Sequence, residues 1–159
     1  MSAVQVSDRA QFVLADNPTM MTLDGTNTWI LREPGAAHSV VVDPGPLDAH
    51  HLDAVQAAAG DVALVLYTHH HVDHTEAIDE FARRTGAPAR AIGEDWCRDA
   101  QPLAHGETIK VDGLELTVIA TPGHTMDSMC ILLSQDKALL TGDTILGRGT
   151  TVVAHPDGA

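Results

Sequence analysis

Val62-Ala63-Leu64-Val65-Leu66-Tyr67-Thr68-His69-His70-His71-Val72-Asp73-His74 is the stretch from which the fold is read. Its first six residues are apolar throughout, the pattern of a strand covered on both faces, as in a sheet with helices packed over it. Thr68 to His74 breaks that strand and carries His69, His71, Asp73 and His74 as H-x-H-x-D-H. With 10 His and 16 Asp in 159 residues, random placement gives this pattern roughly 0.004 times per chain, so a metal-type motif is the better explanation. On an extended segment the side chains at i and i+2 point the same way. His69 and His71 can therefore reach one ion, and Asp73 and His74, after the bend, another.

Upstream, Thr28 to Leu31 and Ser39 to Asp43 are short apolar runs either side of Glu33-Pro34-Gly35, which reads as two strands and a loop. Asp43-Pro44-Gly45-Pro46 ends the second. Leu47 to Ala59, with Leu52, Val55 and Ala58 at helical spacing and Gly60 following, reads as a helix with its stop. Downstream, Asp73 to Arg84 is expected to be one helix, stopped by Thr85-Gly86-Ala87-Pro88 and supported by Asp79 four residues before Arg83. Ala89 to Ile92 reads as a short strand. Thr108 to Val111 and Leu114 to Ala120 flank Asp112-Gly113, the strongest short hairpin signal available. Met129 to Leu133 and Ala138 to Leu140 are the last two strands expected. Strands and helices alternate first and hairpins follow, so the fold class is mixed α/β in layers, one domain over residues 1–159.

Nine basic against 22 acidic residues leave a net charge of −13, and 44% of the chain is hydrophobic. Such a chain has ample material for a core. Its surface repels phosphate backbones, so strong nucleic-acid binding by this chain alone is not expected, although bound cations reverse the sign locally. Cys97 and Cys130 make neither a C-x-x-C pair nor a disulfide framework, and no apolar stretch has the length of a membrane span. A cytoplasmic protein is the expectation.

Two further residues stand at strand ends beside glycine: His124 in Thr121-Pro122-Gly123-His124-Thr125 and Asp143 in Thr141-Gly142-Asp143-Thr144. Little bulk there obstructs an approaching ion. The other histidines are read as spectators: His70 alternates out of the ligand face, while His38, His50, His51 and His105 fall in turns or on a helix surface. Cys130 reads as core, and neither cysteine supports thiol catalysis.

In this order the motifs resemble those of the metallo-β-lactamase-fold hydrolase superfamily: H-x-H-x-D-H, a later P-G-H-T and a later G-D. Asn17-Pro18, Met21 to Thr28, Thr121 to Thr125, and Gly142-Asp143 with Ile145-Leu146-Gly147 and Gly149 to Val152 are similar to the beta-lactamase-like protein 2 family. The resemblance implies an αββα sandwich. It implies that His69, His71 and His124 hold one metal, that Asp73 and His74 hold a second with Asp143 bridging, and that Asp43 supports the histidine loop without binding metal. Zinc, two ions by that resemblance, is the implied cofactor, with iron or manganese in some branches.

The resemblance also shows a departure. The superfamily supplies one more histidine from a later P-G-H-G-like segment, and none occurs before Ala159. The sandwich is therefore expected to be incomplete in its second half. His155 lies too soon after Asp143 for a helix and a return strand to intervene, and is expected in solvent.

The function implied is hydrolysis by a metal-bound hydroxide, which needs no Ser or Cys nucleophile. RNA phosphodiesters are the substrates implied by the beta-lactamase-like protein 2 family, and thioesters, as in glyoxalase II, stay open. A catalytically silent metal-binding fragment is the reading of a different class. Oxygen-reducing di-iron relatives place Glu where His71 stands, so His71 favours hydrolysis. An uncovered sheet edge and apolar surface favour self-association.

Overall fold

The computed structural model describes residues 1–158. A six-stranded sheet runs in chain order through β1 (Val4–Gln5), β2 (Ala10–Leu14), β3 (Asn27–Leu31), β4 (His38–Val42), β5 (Asp61–Leu66) and β6 (Ala89–Arg90). Its first four strands pair antiparallel, and β4 to β6 pair parallel. The parallel pairs need crossovers, and these are the helices: α1 (Ala49–Ala59) joins β4 to β5, while α2 (Val72–Thr75) and α3 (Ile78–Thr85) lie between β5 and β6. A second, antiparallel sheet has the order β10-β9-β8-β7, from β7 (Thr108–Val111), β8 (Leu114–Ala120), β9 (Met129–Leu133) and β10 (Ala138–Leu140).

Alternation along β4 and β5 explains why Val40 to Val42 and Val62 to Leu66 are apolar without a break. Val40, Val42, Leu64 and Leu66 face the second sheet and meet Leu116, Val118, Met129 and Ile131. Val41 and Val65 turn the other way, onto Leu52, Val55, Ile78 and Phe81 of the helices. Each buried Val or Leu of this kind contributes on the order of 1.5–3 kcal/mol. The layers are thus helix, sheet, sheet. Among the described residues no helix covers the outer face of the second sheet, as expected of an αββα sandwich incomplete in its second half.

Turn chemistry sets the details. Asp112 and Gly113 both take positive φ, 48° and 93°, and close the β7–β8 hairpin with Val111 opposite Leu114. Asp48 caps α1 by accepting from the His51 backbone N–H at 2.9 Å, and Gly60 ends it. The expected single helix over 73–84 is instead two, because the Ala77 N–H donates to the Gly45 carbonyl rather than back along the helix. Arg83 pairs with Glu80, and Asp79 turns to Arg98. The β1–β2 hairpin was not expected from sequence; Arg9 ties it to Glu33 and Asp136, both at 2.7 Å. No helix of the described residues is long and apolar enough to cross a membrane, and Cys97 and Cys130 are both free thiols.

Candidate metal centre

The chain ends of β4, β5, β8 and β10 converge, and each delivers one part of the centre. After β5 the chain bends at Thr68 and His69 rather than running on extended, and it still sets the rings of His69 and His71, the latter just before α2, 4.9 Å apart. α2 then turns Asp73 and His74 inward. The loop after β8 brings His124, and the loop after β10 brings Asp143. Gly142 has φ +51°, and a Cβ there would lie 2.8 Å from Thr68 Oγ1, so the β10 loop can press onto the histidine loop only with glycine at this position.

Ligand-type atoms of His69, His71 and His124 all lie within 4.8 Å of one another. His124 Nε2 and His71 Nδ1 are 3.0 Å apart. Asp143 spans this set and the next: its Oδ2 is 3.7 Å from His69 Nε2 and 3.6 Å from His124 Nε2, and its Oδ1 is 3.4 Å from His74 Nε2. Asp73 Oδ2 approaches His74 Nε2 from the other side at 3.2 Å. The six residues singled out by motif are therefore brought together.

Hydrogen bonds on the outer side of each ring decide what the inner side offers. Asp43 is 2% exposed, takes φ 53°, and accepts from the Thr68 N–H (2.8 Å), from Thr68 Oγ1 (2.6 Å) and from His74 Nδ1 (2.8 Å). Thr68 spends its only hydroxyl proton on Asp43, so at 3.0 Å it accepts from His69 Nδ1. The Val152 carbonyl, which can only accept, takes the proton of His124 Nδ1 at 2.6 Å. Asp157 Oδ2 lies 2.7 Å from His71 Nε2. Every imidazole thus has one nitrogen engaged by the protein, and in the neutral ring the other presents a lone pair inward. His69 Nε2 is buried with no hydrogen-bond partner.

Inward lone pairs at these separations repel unless a cation lies among them, and a ligating imidazole ordinarily donates its outer N–H to a carboxylate or carbonyl. The donor set of His69, His71 and His124 fits a divalent ion, and Asp73, His74 and Asp143 bring further ligand-type atoms beside it. Asp43 also lies within 4.8 Å of His69 and His74, but both its oxygens are engaged by donors, which assigns it to orientation.

Charge follows the same geometry. Burial, and next the charge of His74, push the His69 imidazole down to about 4. Burial also opposes a charge on His74, yet Asp43, Asp143 and Asp73 outweigh it and hold the ring well above its ordinary value. A cation binding there must displace that proton. Burial likewise opposes ionisation of Asp73 and Asp143, but the hydrogen bond from His74 holds both below the usual carboxylate range, with Thr26 assisting Asp73.

The floor formed by Asp73, His74 and Asp143 opens into a cleft of about 570 Å³ whose walls include Met21, Trp29, Leu140, Ile145 and Leu146. Sequence reasoning missed three contributors. Thr26 Oγ1 donates to Asp73 Oδ2 at 2.7 Å; Thr68 relays Asp43 to His69; Asp157 comes back from the tail. None carries a motif signal, because each depends on at least one hydrogen bond to a residue distant in sequence: Thr26 to Asp73, Thr68 to Asp43 and Asp157 to His71. Two histidines read as spectators differ from expectation. His51 is fully buried, with Nε2 2.8 Å from Thr28 Oγ1, because Thr28 needs a donor after giving its own proton to the Asp43 carbonyl. His70 lies between Asp127 (2.9 Å) and Asp157 (2.6 Å). His155 is exposed, as expected.

Relatives place the site in context. The chain is 34% identical over 156 residues to the atrochrysone carboxyl ACP thioesterase nsrC of Aspergillus novofumigatus, covering 95% of this chain and 48% of that protein. It is 33% identical to the lactamase-like protein vrtG of Penicillium aethiopicum, covering 96% of this chain and 50% of that one. The chain spans about half the length of the curated relatives it matches. Among solved structures, ETHE1 from Myxococcus xanthus superposes with a TM-score of 0.71 at 27% identity, over 89% of this chain and 60% of that one. A beta-lactamase domain protein from Burkholderia ambifaria shares the fold, with a TM-score of 0.77 at 20% identity over 95% and 59% of the two chains. The family model of the Metallo-beta-lactamase superfamily matches residues 21–158, and the chain belongs to that superfamily.

Proposed function

We propose that this chain carries the metal centre of a hydrolase that cleaves acyl thioesters, with zinc as the first candidate ion and iron or manganese as alternatives. One observation carries the metal reading: four imidazoles, each engaged by the protein on one nitrogen, turn the other toward a shared space bounded by Asp73 and Asp143. His69, His71 and His124 would hold one ion, and Asp73, His74 and Asp143 the second. Bound there, the ions would supply Lewis acidity at the acyl oxygen and lower the pKa of a shared water to near neutrality.

The chain's own groups do the rest. Asp73, held by Thr26, orients the attacking water and accepts its proton. The apolar part of the cleft wall, Met21, Trp29, Leu140, Ile145 and Leu146, would take the acyl group. Water adds to the acyl carbon, the C–S bond breaks, and the thiolate leaves to take up a proton. The thioester class is supported by relatives named as ACP thioesterases. The similarity to beta-lactamase-like protein 2 carries a second reading, RNA phosphodiester cleavage, against which a net charge of −13 weighs.

Elemental analysis after mild dialysis is expected to find between one and two ions per chain. The zinc-loaded protein is expected to release thiol from a model acyl-pantetheine thioester and to leave a single-stranded ribo-oligonucleotide intact. RNA cleavage without thiol release would overturn the substrate class; a folded, chelator-free sample devoid of metal would overturn the centre.

β10 is an edge of the second sheet, and Leu139 on it and Leu14 on β2 are 46% and 39% exposed. Self-association of copies through this region is expected to raise the sedimentation coefficient with concentration. A single monomeric species throughout would exclude it.

A further inference from the structure

The segment after Asp143 returns to the three-imidazole set and touches it three times, through the Val152 carbonyl and Thr151 Oγ1 on His124 and through Asp157 on His71. Its seat is specific. The Met126 N–H donates to the Asp157 carbonyl at 3.0 Å and the Gly158 N–H to the Ala154 carbonyl at 2.8 Å. Gly158 is buried against the His124 loop, where a Cβ would lie 2.3 Å from the Gly123 carbonyl oxygen. Behind Asp157 stands His70: its Nε2 is 2.6 Å from Asp157 Oδ1, its Nδ1 is 2.9 Å from Asp127 Oδ1, and its ring stacks on Trp96 at 6.5 Å and 17°.

The three rings of the first set are not equally held. The side chains of His69 and His124 are 1% and 7% exposed, so packing restricts them, whereas His71 is 31% exposed. Its orientation therefore depends on its outer hydrogen bond more than on its neighbours. It is also the ring that turns Nδ1 inward, with Nε2 outward on Asp157.

We propose that Asp157 is a positioning residue for the first cation: by accepting from His71 Nε2–H it aims Nδ1 at the ion, and His70, braced by Asp127 and Trp96, holds Asp157 in place. This rests on the metal-centre reading above and adds to it a carboxylate and a histidine that are not among the motif's ligands. Carboxylates behind metal-bound imidazoles are worth roughly 10–100-fold in metal affinity.

Zinc affinity measured by competition with a chromophoric chelator tests it, on the parent protein and on Asp157→Ala, Asp157→Asn and His70→Ala. Asp157→Ala is expected to weaken the tighter site by about 10–100-fold. Asp157→Asn, which keeps one neutral acceptor, and His70→Ala, which removes only the brace, are expected to fall between it and the parent. In the zinc-loaded parent the His71 ring N–H proton is expected as a downfield, slowly exchanging resonance, absent from Asp157→Ala. An affinity within twofold of the parent overturns the proposal. So does a loss of affinity with that resonance retained, since the effect then lies in the fold at large. A parent that binds no zinc overturns the metal centre itself, a result distinct from an Asp157→Ala protein that binds as the parent does.

Discussion

Asp73→Asn is expected to lower kcat by at least about 100-fold while the first cation stays bound, within the range attributed to general-base action. The geometry separates the two effects. Asp73 is not part of the three-imidazole set, and its Oδ2 is held by Thr26 Oγ1 at 2.7 Å. Thr26 is in turn fixed by Asn17, whose Oδ1 accepts the Thr26 N–H at 2.9 Å and whose Nδ2 lies 3.2 Å from its hydroxyl. Asparagine retains that anchor and the side-chain volume but removes the negative oxygen that can take a proton at the floor of the cleft. The second ion should weaken, since a neutral amide replaces a carboxylate beside His74. Turnover and metal content on the same preparation decide the matter. A variant with both ions and near-normal turnover would leave no role for Asp73 in proton transfer.

The parts of this site that sequence reveals are those written in local patterns. Asp112-Gly113 specifies its hairpin because both residues tolerate positive φ, and the limits expected for β7, β8, β9 and β10 are those observed. The apolar run of β5 announces burial on both faces, and H-x-H-x-D-H then reports ligands at its end. What stays hidden depends on partners far along the chain. β1 and β2 are short, and the turn between them is secured by Arg9 to Asp136, 127 residues away. The break between α2 and α3 comes from Gly45, outside the helical window. His51 looks like an exposed helical residue until Thr28 is placed beside it. Asp157 carries no signal because its partners, His70 and His71, lie 87 and 86 residues earlier. Periodicity reports which face is buried, but not which polar group meets which.

Asp43 brings these two kinds of information together, and its removal is expected to have the largest effect on stability. One buried carboxylate accepts three hydrogen bonds, from the Thr68 N–H, Thr68 Oγ1 and His74 Nδ1. Through Thr68 it sets the proton on His69, and directly it sets the proton on His74, so both of the proposed ion sites depend on it. Asp43→Ala leaves those donors buried without an acceptor, and breaking a buried charged pair from one side costs about 3–5 kcal/mol. Alanine at φ 53° adds strain of roughly 1–2 kcal/mol. These effects overlap, and a loss of about 3–5 kcal/mol in unfolding free energy is the expected total. Asp43→Asn separates stability from metal binding. Asparagine tolerates positive φ and its oxygen can still serve the Thr68 N–H, but its amide nitrogen, in the place of Oδ2, can accept neither from His74 Nδ1 nor from Thr68 Oγ1, whose hydroxyl can turn to accept instead. It is expected to retain most of the stability and lose the second ion before the first. Urea unfolding and metal analysis of the two variants, side by side, provide the measurement. If Asp43→Ala unfolds at the parent's urea concentration and still carries two ions, the histidine loop is held by something other than Asp43.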